Sequence, residues 1–212
     1  MSAGRDRVQQ TGAVPVTAVL AGPTDLDALE DVLQAAFWDD PVTTYLFPDE
    51  SSRSRRSARL FRALLVRHYL PMRTVWTTSD QAGGALWAPP GHWKLTTAQI
   101  LRGLPSVIRG LGSSTVRSLR LMGEVDRHHP SESHWYLGVL GTDPPRQGKG
   151  VGSALLTPVL SRCDREGLPA YLESSKESNI AFYERHGFKL TGEVHPPGAP
   201  TLWSMWREPQ PS

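Results

Sequence analysis

The feature that most constrains this chain is the run Arg146-Gln147-Gly148-Lys149-Gly150-Val151-Gly152-Ser153. It lies between an apolar and aromatic stretch, His134 to Thr142, and a stretch of helical periodicity from about Gly150 to Arg165. Glycines let consecutive backbone N–H groups turn inward together, and the dipole of the following helix adds positive potential. The product is an anion site suited to a pyrophosphate. Pro169 to Glu173 reads as the next strand, so residues 134–173 form a strand–helix–strand unit, a right-handed parallel crossover.

Other elements surround this unit. Val14 to Leu20 reads as a first strand. A helix follows, with Thr24 as N-cap, Asp27 closing a capping box, and Leu26, Leu29, Val32, Leu33 and Phe37 as its apolar stripe. Asp39-Asp40-Pro41 ends it. Ser51 or Ser52 opens a second helix running to about Leu70, with Arg55, Arg59 and Arg62 on one face and Leu60, Phe61, Leu64 and Leu65 on the other. Arg73–Thr78 and Gly84–Ala88 read as a hairpin, followed by helical stretches at about 96–111 and 114–128. A short helix, Asn179–His186, precedes an antiparallel pair, Phe188–Val194 and Thr201–Arg207. Residues 1–13 are polar and aperiodic, the pattern of a disordered tail.

Composition narrows the class. With 212 residues, 39% of them apolar, 21% charged and a net charge of +2, the chain reads as one globular domain, neither disordered nor fibrous. The arginine-rich helix carries no companion aromatic ladder, so its basic side reads as a solvated face and no nucleic acid partner is expected. No apolar run approaches the roughly 20 residues of a membrane span, and the N-terminus lacks a signal-peptide core, so no membrane partner and a cytoplasmic location are expected. The single cysteine, Cys163, falls on the core stripe of a helix and reads as packing. His128-His129 have no companions at metal-ligand spacing, so no metal is expected.

Three phosphate-binding templates compete for the glycine turn. The mononucleotide loop needs Gly-Lys followed by Ser or Thr, but Gly150 follows Lys149. The dinucleotide fingerprint fits Gly148 and Gly150, yet position 153 is serine, and five residues separate the strand from the glycines. The pattern Gln-x-x-Gly-x-Gly is met by Gln147, Gly150 and Gly152. At this point Trp135 to Pro144 followed by Gln147 to Gly152 resembles the acetyl-CoA-binding core of the GCN5-related N-acetyltransferases (GNAT). Tyr171-Leu172-Glu173-Ser174-Ser175 and Asn179 to Phe188 are similar to that family's last strand–helix element, in register. Within the family the likeness is nearest to puromycin N-acetyltransferase-like members. One departure is Thr142, where the family carries an aliphatic residue.

The resemblance implies an α/β fold: a mixed, mostly antiparallel sheet with helices on both faces and a splayed pair of central parallel strands. It implies a single acetyltransferase domain over 14–209, with 14–133 the acceptor-side half and 134–207 the acetyl-CoA-binding core. Acetyl-CoA would pair with the strand at Leu140, Gly141 and Thr142, and its pyrophosphate would lie on the amides of Gln147, Gly148, Lys149, Gly150, Val151, Gly152 and Ser153. Asn179 would bond the pantetheine arm, or simply cap its helix. The resemblance makes Tyr183 the acid that protonates the departing thiolate, where residue chemistry alone also allows a tyrosine packed on Phe182 and Phe188. Glu173 ends its strand at the cleft and can take a proton from the acceptor ammonium, directly or through water; a surface carboxylate is the plainer reading. His134 is a second candidate acceptor. The Trp38-Asp39-Asp40-Pro41 turn with Tyr45 mixes carboxylates and aromatics, which suits a cationic amine with an apolar body, or a solvated helix end. The expected activity is acetyl transfer from acetyl-CoA to a primary amine of a small molecule, an antibiotic such as puromycin among the candidates, by direct attack. The alternatives are a non-catalytic acyl-CoA- or nucleotide-binding module and a dinucleotide-dependent oxidoreductase. Both monomer and homodimer are compatible with the sequence.

Overall fold

The computed structural model describes residues 16–94 and 114–211. The tail expected at 1–13 and the helix expected at 96–111 lie outside these residues. Seven strands form one sheet: β1 (Ala18–Leu20), β2 (Val75–Thr78), β3 (Gly83–Ala88), β4 (Trp135–Thr142), β5 (Ala170–Ser174), β6 (Lys189–Val194) and β7 (Leu202–Arg207). Their spatial order is β1-β2-β3-β4-β5-β7-β6. All neighbours are antiparallel except β4 and β5, which run parallel as the crossover requires.

Helices cover both faces. On one, α1 (Leu26–Ala36) and α3 (Glu50–Leu64) bury Leu29, Leu33 and Phe61 against Val75 and Leu86, joined by Leu65 just beyond α3. On the other, α5 (Val151–Glu166) buries Leu155, Leu156 and Val159 against Trp135, Leu137, Leu172 and Met205. Cys163 is wholly buried in that second cluster, and burial pushes its thiol up to about 12, as befits a packing residue. The short α6 (Ile180–Glu184) joins the α5 cluster, α4 (Thr115–His128) packs Leu121 and Val125 against Val194 and Leu202, and α2 (Pro41–Leu46) packs Leu46 beside Phe47. None of the described helices is long and apolar enough to cross a membrane.

Several local expectations are corrected. Strand β1 begins at Ala18. The first helix is opened one turn early by the 3-10 turn Pro23–Asp25, where Asp25 accepts from the Gly22 amide at 2.9 Å. Asp27 is therefore no capping partner; it pairs with Arg62, which also binds Glu30. Asp39-Asp40-Pro41 does not merely end a helix. Asp40 accepts from the amides of Val42 and Thr43 and starts α2, with Pro41 at the first helical position. Helix α3 starts at Glu50, capped by Asp49, and ends at Leu64, where a π turn, Leu65–Tyr69, takes over.

The order of the last two strands has a physical cause. β7 carries Leu202, Ser204, Met205 and Arg207 inward, while β6 is exposed except for Val194. The more apolar strand docks against β5 and leaves the polar one at the edge. Arg207 fixes this arrangement with a two-pronged pair to Asp164 of α5, at 2.7 and 2.9 Å.

Candidate active site

Strands β4 and β5 pair only at Trp135–Leu137 and Ala170–Leu172. Beyond that point they part, although β4 continues to Thr142 and β5 to Ser174. The cause sits at Gly138. On the β3 side, Leu86 faces Val139 while Trp87 faces Leu137, so Gly138 is the extra residue of a bulge. A bulge bends its strand and increases the local twist. It also resets the alternation of faces. Tyr136 and Val139 join the α1/α3 core, whereas Leu137 and Leu140 join the α5 core. Leu140, Gly141 and Thr142 are bonded to β3 on one side, opposite Ala85, Gly84 and Gly83. Among the described residues, no strand pairs with their other side.

The chain then makes the 3-10 turn Pro144–Arg146 and enters the glycine run. Gly148 and Gly150 have φ of +72° and +83°, and no protein atom lies within 4 Å of where a side chain would begin at either. Gly150 is the N-cap of α5, and the first intrahelical bond there runs from the Ala154 amide to its carbonyl at 3.0 Å. The amides of Val151, Gly152 and Ser153 thus precede the helical ladder and have no partner within it. Side chains brace the turn from below. Lys149 Nζ donates to the Pro145 carbonyl at 2.9 Å and Gln147 Nε2 to that of Thr142 at 3.4 Å. His186 Nδ1 donates to the Phe182 carbonyl, which leaves Nε2 to accept from Ser153 Oγ at 3.0 Å. The run expected to hold acetyl-CoA is therefore gathered in one place, beside the parted strands. An open, left-handed glycine turn on a 16-residue helix fits a pyrophosphate.

Asn179 ends the 3-10 turn Glu177–Asn179 and is exposed, with no capping hydrogen bond from its side chain. Capping does not account for it. Tyr183, in α6, is 8% exposed and packs edge-on against Phe182 and Phe188. Burial, and then the charge of Asp40, push its phenol well above the ordinary value of about 10. That keeps the phenol protonated and makes it a weaker acid than a free phenol.

Glu173 is not a surface carboxylate: its side chain is only 4% exposed. It lies on the same face as Tyr136 and Tyr171, where the strands part. Tyr69, delivered by the π turn, brings its hydroxyl against Gly138 and occupies the space a side chain there would need. The phenols of Tyr69, Tyr136 and Tyr171 are all raised, by burial first and then by the Glu173 charge. His129 Nδ1 stands 3.6 Å from Glu173 Oε1. His129 Nε2 in turn lies 3.0 Å from His134 Nε2.

The other carboxylates singled out by sequence are already engaged. Asp40 is buried, capping α2 with one oxygen and accepting from Ser175 Oγ with the other. Lys176 Nζ binds Asp39 at 2.8 Å and holds its carboxyl below the usual range. Asp40 is thereby withdrawn from an incoming cation, whereas Asp39 stays largely exposed with Lys176 offsetting its charge. Arg53 lies over Trp38, 5.0 Å from the ring centroid, and donates to the carbonyls of Phe47 and Pro48. Sequence reasoning missed Tyr69, Tyr136 and His129 as site residues. Strand alternation could have placed Tyr136 beside Tyr171 and Glu173; nothing local marks Tyr69 or His129.

Comparisons with known proteins agree with this fold. The model of the Acetyltransferase (GNAT) family matches residues 116–188. An uncharacterized N-acetyltransferase of Schizosaccharomyces pombe is 33% identical over 171 residues, 76% of this chain and 69% of that protein. A Corynebacterium glutamicum structure, described as histone acetyltransferase HPA2 and related acetyltransferase, superposes with a TM-score of 0.73 at 25% identity, over 94% of this chain and 99% of that one. The PaiA N-acetyltransferase of Thermoplasma acidophilum, solved in complex with coenzyme A, shares the fold with a TM-score of 0.55 at 12% identity, over 92% of this chain and 99% of that one.

Proposed function

The chain belongs to the GNAT family of acetyltransferases, and from that premise we propose that it transfers an acetyl group from acetyl-CoA to the primary amine of a small molecule with an apolar body. The observation that carries this reading is the parting of β4 from β5 between an open glycine turn and the buried carboxylate of Glu173. The amides of Gln147 to Ser153 hold the pyrophosphate, the unpaired side of Leu140–Thr142 takes the pantetheine arm as an added strand would, and the exposed Asn179 bonds that arm. Bound there, acetyl-CoA supplies an activated acyl group. Glu173 accepts the acceptor's ammonium proton, since only a neutral amine attacks. Tyr183 Oη holds the proton that the leaving thiolate takes up.

The acceptor class follows from the walls around Glu173. Tyr69 is buried and Tyr136 half-buried, and Trp93 packs against the same cluster. Aromatic walls reward an apolar body, and a buried carboxylate rewards one ammonium rather than several. The likeness to puromycin N-acetyltransferase-like members makes puromycin the first amine to test. Thiol release from acetyl-CoA would be followed with puromycin, a simple arylalkylamine, spermidine and a histone-tail peptide. The expected order by kcat/KM puts the two aromatic amines first. A clear preference for spermidine or the peptide overturns the acceptor assignment and leaves the family membership intact.

A further inference from the structure

His129 and Glu173 present an unusual account of protons. Both side chains are buried, at 0% and 4% exposure, and His129 Nδ1 and Glu173 Oε1 are each without a hydrogen-bond partner. Yet these two atoms face each other at 3.6 Å. The neighbouring ring fixes what each can carry. His134 Nδ1 lies 2.6 Å from the carbonyl of Glu132, which only accepts, so Nδ1 bears the proton. Neutral His134 then offers a lone pair at Nε2, and His129 Nε2, 3.0 Å away, must donate to it. A neutral His129 therefore turns a bare Nδ1 lone pair toward a carboxylate. That arrangement is repulsive until one more proton arrives between them.

We propose that Glu173 and His129 act as one unit that takes up the acceptor's proton, with His134 as the positioning residue that fixes the His129 tautomer. The inference rests on the assignment of Glu173 as proton acceptor and adds the group that makes a buried carboxylate a competent one. In the step, the ammonium N–H bond breaks and its electron pair stays on nitrogen. The proton bonds to Glu173 or to His129 Nδ1, shared across the gap, and is later given up to water; no electron is transferred. One neighbour suits the charged ring that results: Trp93 stacks face to face on His129 with centroids 3.5 Å apart at 17°. Tyr136 and Tyr171 stand nearly perpendicular to the imidazole at 5.1 and 5.0 Å and hold its plane. The route out is a cavity of about 430 Å³ bordered by Trp93, His129, Glu132 and His134. Other titratable groups facing the pair are the protonated phenols of Tyr69, Tyr136 and Tyr171, and on the cavity rim the Lys94–Asp126 ion pair and Glu132.

Two measurements test the unit on the full chain. The first needs no turnover: imidazole signals of His129 are followed against pH by NMR in the wild type and in Glu173→Gln, a near-isosteric change. In the variant the ring should titrate lower by about one unit or more. A His129 titration within about 0.2 units of the wild type overturns the coupling. The second is the pH dependence of kcat/KM with the best acceptor. His129→Gln should lower the plateau and move the acid limb down by about one unit or more, because a lone carboxylate stays ionised to lower pH. A lowered plateau with an unmoved limb assigns His129 a packing role only and overturns the proposal. Absence of turnover with every amine would refute the proposed acceptor reading, while the NMR comparison still decides whether the two groups share a proton.

Discussion

Gly138→Ala probes the point where bulge, splay and site meet. An added Cβ would overlap Tyr69 Oη and lie 3.1 Å from its Cζ and 3.3 Å from Tyr136 Cε1. Tyr69 is 5% exposed and its ring is held edge-on by His68 at 4.7 Å, so it cannot swing into solvent. Forcing one carbon into such packing costs about 1–3 kcal/mol. For a chain of this length each kcal/mol lowers Tm by about 2–4 °C, so the variant should melt about 2–12 °C below the wild type. The same reasoning predicts rescue. Tyr69→Phe deletes the atom in the way, so Gly138→Ala should cost less in that background, with a coupling of about 0.5–3 kcal/mol in a double-mutant cycle. Thermal and urea unfolding of the four proteins measure it, with acceptor KM rising in Gly138→Ala as Tyr69 is displaced. A Gly138→Ala protein that melts within about 1 °C of the wild type, or a cycle that closes additively, refutes the placement of Tyr69 against the bulge.

Gly150→Val leaves the fold intact but opposes a φ of +83° in a β-branched residue, and its side chain enters the open space over the turn; calorimetry should show acetyl-CoA binding lost or at least about 10-fold weaker. Tyr183→Phe should keep acetyl-CoA affinity and lower kcat by about 10²-fold, read under conditions where chemistry limits turnover; an unchanged kcat returns Tyr183 to packing. Asp164 is held below the usual carboxylate range by Arg207, then by the Gln210 amide and the Arg207 charge, with burial opposing. Its folded-state pKa is depressed, so its stabilisation is present above the unfolded value of about 3.9 and is lost as pH falls below it. Tm measured from pH 7 to pH 3 should therefore fall at the acid end, and Asp164→Asn should start lower and fall less steeply.

The sequence by itself settled what depends on neighbours along the chain. Gly148 and Gly150 adopt left-handed φ because the turn into α5 demands it, and that demand is written in the Gln147–Gly152 spacing. The β4–α5–β5 crossover and the hairpins likewise follow from periodicity and breakers, which act over a few residues. The sequence also put Glu173 at the end of a strand beside the cleft. It could not say that the carboxylate is buried, nor what faces it. Tyr69 reaches Gly138, Asp40 reaches Ser175, and His129 reaches Glu173 across 69, 135 and 44 positions of chain, joined only when β3, β4 and β5 assemble side by side. Even the face each β4 residue presents was undecided, because the bulge at Gly138 reverses the alternation and exists only through pairing with β3. Local hydrogen bonding and φ preferences are fixed by short-range sterics. The convergence of side chains from separate elements is fixed by which surfaces pack together, and that belongs to the tertiary structure alone.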